Sequence, residues 1–260
     1  MTSLTRNLIT LCLIALAGLC LPSCAFFGSK GIDQIKNPTA RSRQIVVVAT
    51  AGWDSLTGFL KYYQRDRLGG PWQPVGDTCG VNVGRTGLAW GSGLHGRNLA
   101  DGPRKQEGDG KSPAGVFRLS AVFGYAPKES VQYLNMPYIH ADSTCQCVYD
   151  VHSEYYNLVI DSLSVVKADW KRRERMKQSD NSYKWGVVID HNSSPREAGG
   201  GSCIFLHVWD GPAIATSGCT ALEESQIVRL IQWLDAGSNP VLVQLPSVQY
   251  QNLKGIWKLP

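Results

Sequence analysis

Ser202-Cys203-Ile204-Phe205-Leu206-His207-Val208-Trp209, and then Thr216-Ser217-Gly218-Cys219-Thr220-Ala221, is the stretch on which the reading of this chain turns. Its first half is apolar and rich in β-formers, so it reads as a buried strand. The strand before it is Lys184-Trp185-Gly186-Val187-Val188-Ile189-Asp190. Between them lies a loop, His191 to Gly201, with Asn192, Pro195 and three consecutive glycines. The two strands therefore read as a long-looped hairpin. After Cys219 the pattern changes to the helical period. Ile227, Leu230, Ile231 and Leu234 form an i, i+3, i+4, i+7 stripe. Thr220 and Glu223 have the spacing of a capping box, Gly237 that of a C′ residue, and Pro240 blocks continuation. This predicts a helix that starts directly behind Cys219.

Outward from this stretch the chain reads as mostly strand. Gln44 to Thr50, Gly115 to Leu119 and Val241 to Leu245 are β-branched or apolar runs bounded by Gly and Pro. Gly-rich loops dominate residues 69 to 113, and residues 125 to 157 read as irregular. No second linker interrupts residues 44–260. The expected architecture is a mainly β single domain, with sandwich-like mixed sheets and one helix following the cysteine. With 260 residues, 43% apolar and 18% charged, the chain can bury a substantial core and is not of the disordered class.

The first 43 residues read differently. Leu8 to Leu21 is nearly all apolar, the length of a secretory h-region rather than of a membrane span. Leu21-Pro22-Ser23-Cys24 then resembles a lipobox. Residues 1–23 are expected to be a lipoprotein signal peptide, Cys24 the lipidated residue and 24–43 a tether. That predicts an exported protein anchored to a membrane through lipid. Ala25, in place of an Asp, points to the outer membrane where the host has one. The net charge of +5 is modest, and nothing indicates nucleic-acid binding. The basic run Lys171 to Lys177 reads as a solvated face.

Five cysteines remain beyond the leader: Cys79, Cys145, Cys147, Cys203 and Cys219. In an oxidising compartment four can form two disulfides, with three connectivities open, and one thiol is left over. Cys219 is the expected free one. A helix N-terminus beside it would favour the thiolate, and main-chain N–H groups around Gly218 would hold an oxyanion. His207, twelve residues upstream, is the candidate base. A rival constellation for zinc is His140, Cys145, Cys147 and His152, against which Cys-x-Cys spacing counts.

The His207 strand, Gly211-Pro212 and Thr216-Ser217-Gly218-Cys219 together resemble the L,D-transpeptidase catalytic domain family, of YkuD type. Gly115-Val116-Phe117 after Lys111-Ser112-Pro113, and Trp185 to Asp190 leading into His191-Asn192, add to the likeness. Where the commonest motif has a second His, this chain has Ser217. The resemblance implies Cys219 as nucleophile, His207 as its base, and backbone groups near Ser217 and Gly218 as the oxyanion site. It also implies a peptidoglycan stem peptide as substrate, a Cys219 thioester, and no metal or organic cofactor. A carbonyl next to His207, such as that of Val208, would orient the imidazole. Asp190, His191, Trp209 and Arg85 are candidate substrate contacts. An L,D-carboxypeptidase or a wall amidase would use the same Cys-His pair, and a non-catalytic wall-binding lipoprotein is a further alternative.

Overall fold

The computed structural model describes residues 37–96 and 102–260. The signal peptide, Cys24 and most of the tether lie outside the described residues. Packed chain begins before residue 44: Thr39 and Ser42 are buried, and their carbonyls accept from the Arg65 side chain.

The strands in chain order are β1 (Gln44–Thr50), β2 (Thr57–Gln64), β3 (Gln73–Asn82), β4 (Leu88–Trp90), β5 (Ser112–Gly124), β6 (Tyr138–His140), β7 (Cys145–Val148), β8 (Val159–Asp161), β9 (Arg173–Arg175), β10 (Trp185–Ile189), β11 (Phe205–Val208), β12 (Thr220–Leu222) and β13 (Val241–Pro246). Two helices, α1 (Glu224–Trp233) and α2 (Ser247–Trp257), complete the set used below.

Ten strands form one sheet, in the order β10-β11-β12-β3-β2-β1-β13-β5-β4, with β6 beside β5. A further β10–β5 pairing closes the path into a barrel-like sandwich. Closure is possible because β5 is thirteen residues long and changes partner along its length. It pairs with β4 near Ser112, β13 near Val116 and β10 near Phe123. β1 and β13 run parallel at the centre and are buried almost throughout, as expected of strands covered on both faces. Their side chains join Phe117, Leu206, Leu222 and the α1 stripe in one core.

The expected strands are present, and β10 and β11 form the expected antiparallel hairpin. The helix start is different. Thr220–Leu222 is a strand, and α1 begins only at Glu224, with no side-chain cap at Glu223. The reason is tertiary. Thr220 and Ala221 pair with β11, and Ala221 also pairs with Asn82 of β3. The Thr220 hydroxyl donates to buried Gln244 Oε1 at 2.7 Å instead of capping a helix. Gln244 Nε2 in turn donates to Pro113 O at 2.9 Å, so β12 is tied to β13 and β5 through one satisfied buried amide. Gly237 is not the helix C′ residue: the helix ends at Trp233, and Gly237 lies in a 3-10 turn capped by Asp235.

Three short strands, in the order β8-β7-β9, form a second small sheet; β7 lies in the region read as irregular, β8 just after it and β9 in the basic run. One disulfide joins it to the barrel, Cys147–Cys203. The expectation of two disulfides is therefore corrected, since Cys79 and Cys145 are free along with Cys219. The zinc alternative falls with it, because Cys147 is bonded to Cys203. No cluster of ligands able to hold a metal exists among the described residues. Among those residues, no helix is long and apolar enough to cross a membrane.

Candidate active site

β11 and β12 run parallel, with His207 opposite Ala221. Residues directly opposite share a face, and so do residues two apart on one strand. Cys219, two before Ala221, thus falls on the face that carries Phe205 and His207. The contact confirms the placement: Phe205 N–H donates to Cys219 Sγ at 3.4 Å.

The turn before β12 is fixed by two hydroxyls. Thr216 Oγ1 accepts from Gly218 N–H at 3.1 Å and donates to Cys219 O at 2.6 Å. Ser112 Oγ donates to the same carbonyl at 2.7 Å while accepting from Gly84 N–H. Gly218 has φ +151°, which favours glycine. Asn82 holds the intervening loop by donating to Gly211 O and accepting from Ala213 N–H.

Cys219 is 8% exposed, and its S–H reaches Cys203 O at 3.5 Å. Burial, with the nearby Glu174 carboxylate adding to it, pushes the thiol up to about 12. Phe205 N–H and the Tyr183 hydroxyl oppose that rise. The expected thiolate-stabilising helix end is absent, because the chain behind Cys219 is a strand. Cys219 therefore rests as a thiol.

His207 Nδ1 lies 2.7 Å from Val208 O. A carbonyl only accepts, so the proton sits on Nδ1 and Nε2 keeps its lone pair. Burial lowers the imidazole below its usual range, against the opposing pull of the Val208 carbonyl, Asp210 and Asp180. The imidazole is thus neutral near pH 7. Tyr183 packs edge-on against His207 with centroids 5.2 Å apart. Its hydroxyl donates to Glu174 Oε1 at 2.8 Å.

These groups line one cavity of about 920 Å³, together with Arg85 and Trp209. Residues 54–243, most of the described chain, match the model of the YkuD L,D-transpeptidase catalytic domain. The chain belongs to the L,D-transpeptidase catalytic domain family. No curated protein and no solved structure matches it.

Measured against that family assignment, the sequence-derived site residues divide cleanly. Cys219, His207, Ser217, Gly218, Trp209 and Arg85 all border the cavity. Arg85 donates from Nη1 to Ser217 Oγ at 3.1 Å, so Ser217 presents a hydroxyl already engaged by a cation. Asp190 and His191 do not border it. Asp190 accepts from Ser120 Oγ at 2.5 Å, and burial raises its carboxyl. His191 is 2% exposed, accepts from Ser92 N–H at Nδ1 and donates from Nε2 to Gly200 O. Both are turn and loop fasteners in this L,D-transpeptidase domain, which corrects their reading as substrate contacts. Gly218 N–H, spent on Thr216, is likewise corrected as a free oxyanion donor. Sequence reasoning missed Tyr183, Glu174, Thr216 and Ser112. Thr216 and Ser112 stood inside the motifs without a role of their own, and Glu174 showed as the one acid in a basic run.

Proposed function

We propose that this L,D-transpeptidase-family chain is an exported, lipid-anchored cysteine acyltransferase. Its substrate is a peptidoglycan stem peptide, and it works through a Cys219 thioester. The observation that carries the reading is the register of β11 and β12. In that register the Cys219 thiol and the neutral His207 imidazole lie on one face and border one cavity, which supports their pairing.

His207 Nε2 takes the Sγ proton as sulfur attacks the carbonyl that precedes D-alanine. With the thiol near 12, transfer and attack are concerted rather than stepwise from a preformed ion pair. A C–S bond forms and the carbonyl becomes an oxyanion. Cys219 N–H, which has no acceptor outside the strand ladder among the described residues, is the donor best placed to hold it. Collapse breaks the C–N bond, and the leaving amine of D-alanine takes the proton from His207. The amine of a second stem peptide then attacks the thioester. It loses its proton to His207, which returns it to the departing sulfur. No step requires a metal or organic cofactor. Residues 1–23 supply the export signal and Cys24 the lipid attachment in this reading.

Incubation with a stem tetrapeptide ending in D-alanine tests it. Free D-alanine with a cross-linked dimer is the expected result. D-alanine with only the hydrolysed tripeptide would make the protein a carboxypeptidase, with water in place of the amine. An untouched tetrapeptide, with products cleaved at another amide of wall material, would overturn the reading in favour of an amidase.

A further inference from the structure

β9 has one open edge, and that edge faces the cavity. Its other edge is paired with β7, with Glu174 opposite Cys147. Met176 N–H donates to Cys145 O at 2.9 Å, and Tyr149 N–H donates to Arg172 O at 3.2 Å. Antiparallel ladders alternate, so residues 172, 174 and 176 aim their main-chain groups at β7. The N–H and C=O of Arg173 and Arg175 then point the opposite way. Arg175 O accepts from Gln178 Nε2 at 2.8 Å. Arg173 N–H, Arg173 C=O and Arg175 N–H have no partner among the described residues.

Two features show that this edge borders the cavity. Glu174 and Met176 belong to the inner face of the strand, while Arg173 and Arg175 stand exposed on the outer face. Yet Arg173, Glu174 and Arg175 all line the same cavity as Cys219. Residues from both faces of one strand can line one space only where that space meets the strand edge-on. The charge at this end leans positive. Arg85 joins the two arginines at the wall, while Lys105 is paired with Asp109 at 2.7 Å. Of the carboxylates lining the cavity, Glu174 is engaged by Tyr183 and Glu107 by Tyr156 and Ser202, and Asp210 stands exposed beyond His207.

An unpaired strand edge is a template for another strand, and natural chains usually blunt or cover it. Here it is left open beside a nucleophile. We propose that the stem peptide docks as a fourth strand of the small sheet, in extended form along the open edge of β9. Its main chain pairs with Arg173 and Arg175, and its carboxylates meet the arginine-rich rim. This rests on the proposed reading of the substrate and adds how that substrate is held. Main-chain pairing fixes register, so it sets which carbonyl reaches Cys219.

Proline separates this from simple charge attraction. Arg173→Ala removes only the guanidinium. Arg173→Pro also removes the outward N–H, without touching the β7 ladder, and proline is tolerated on edge strands. Binding of a stem tetrapeptide is measured by calorimetry in the Cys219→Ala background, with thermal melts as a folding control. The expected result is weaker binding for Arg173→Ala and about tenfold weaker again for Arg173→Pro, the value of one hydrogen bond. A second probe leaves the protein unchanged: tetrapeptides N-methylated at one amide at a time should show a loss at alternate positions only. Equal binding by the two variants with a flat N-methyl series would overturn the proposal. So would no binding by the parent, or a dimer of the protein that is lost in Arg173→Pro. Failure of the acyltransferase reading shows elsewhere, as an intact tetrapeptide on incubation with active protein while the proline effect on binding persists.

Discussion

His207→Ala is expected to slow acylation of Cys219 by about 10²- to 10⁴-fold, the usual worth of a positioned base. The size follows from the sulfur. A thiol held near 12 has almost no thiolate at pH 7, so attack depends on a proton acceptor in place. The imidazole suits that task, because the Nδ1 proton goes to Val208 O and leaves the lone pair on Nε2. Its lowered proton affinity also sets the pH dependence. Because burial holds the imidazole below its usual range, the acylation rate of the parent should hold to lower pH than an exposed histidine would allow, and then fall. The variant should lack that acid limb and rise with hydroxide instead. Stopped-flow acylation between pH 5 and 9 checks both. A variant as fast as the parent, with the same acid limb, would remove His207 from the chemistry.

Acid should destabilise the fold by several kcal/mol, through two histidines outside the site. His95 and His191 are buried, and burial lowers them to about 4 and about 3. Each ring is wedged between main-chain groups: His95 Nδ1 accepts from Val116 N–H, and Nε2 lies 3.1 Å from Gly91 O. A Cβ on Gly115 would lie 2.0 Å from the His95 ring, so the ring has no room to move. In the unfolded chain both imidazoles take up protons near 6.5. Between 6.5 and about 3 the unfolded state therefore binds more protons than the folded one. Stability is full above pH 6.5, falls as pH drops below it, and the loss is complete near 3. Burial raises Asp190 and Glu174, which pull the opposite way only at the acid end. Against a typical total of about 5–15 kcal/mol, the loss is large enough to unfold the domain. Melting temperatures from pH 7.5 to 4 measure it. A curve that stays level down to pH 4 would contradict the account.

How much of this was legible in the sequence depended on the length of each signal. β1, β5, β10, β11 and β13 each fall within a marked apolar run of the sequence, which for β11 extends beyond the four paired residues, and they formed. The α1 stripe was right in phase because Ile227, Leu230 and Ile231 face the core. Its start was misread because a capping box is a local signal, and Thr220 spends its hydroxyl on Gln244, twenty-four residues away. The small sheet was invisible because three- and four-residue strands leave no period to detect. α2 was missed because its apolar face is thin: Trp257 is its one buried residue, and Tyr250 and Leu253 pack only partly buried against the core. In the site, Cys219 and His207 stood out by motif. Asp190 and His191 misled because polar residues at a hairpin end look alike whether they fasten a loop or meet a ligand. Tyr183 and Glu174 could be found only once β9 and β10 were placed in space.

In the proposed mechanism Cys219 forms a thioester with His207 as its base. Intact-mass spectrometry of the purified domain after exposure to a carbapenem tests it most directly, because that strained lactam carbonyl stands in for the acyl donor. The expected result is a gain of one drug mass in the parent, slow gain in His207→Ala and none in Cys219→Ala. An unmodified parent whose Cys219 is free and alkylated by iodoacetamide, or a Cys219→Ala variant that gains the same mass, would contradict it.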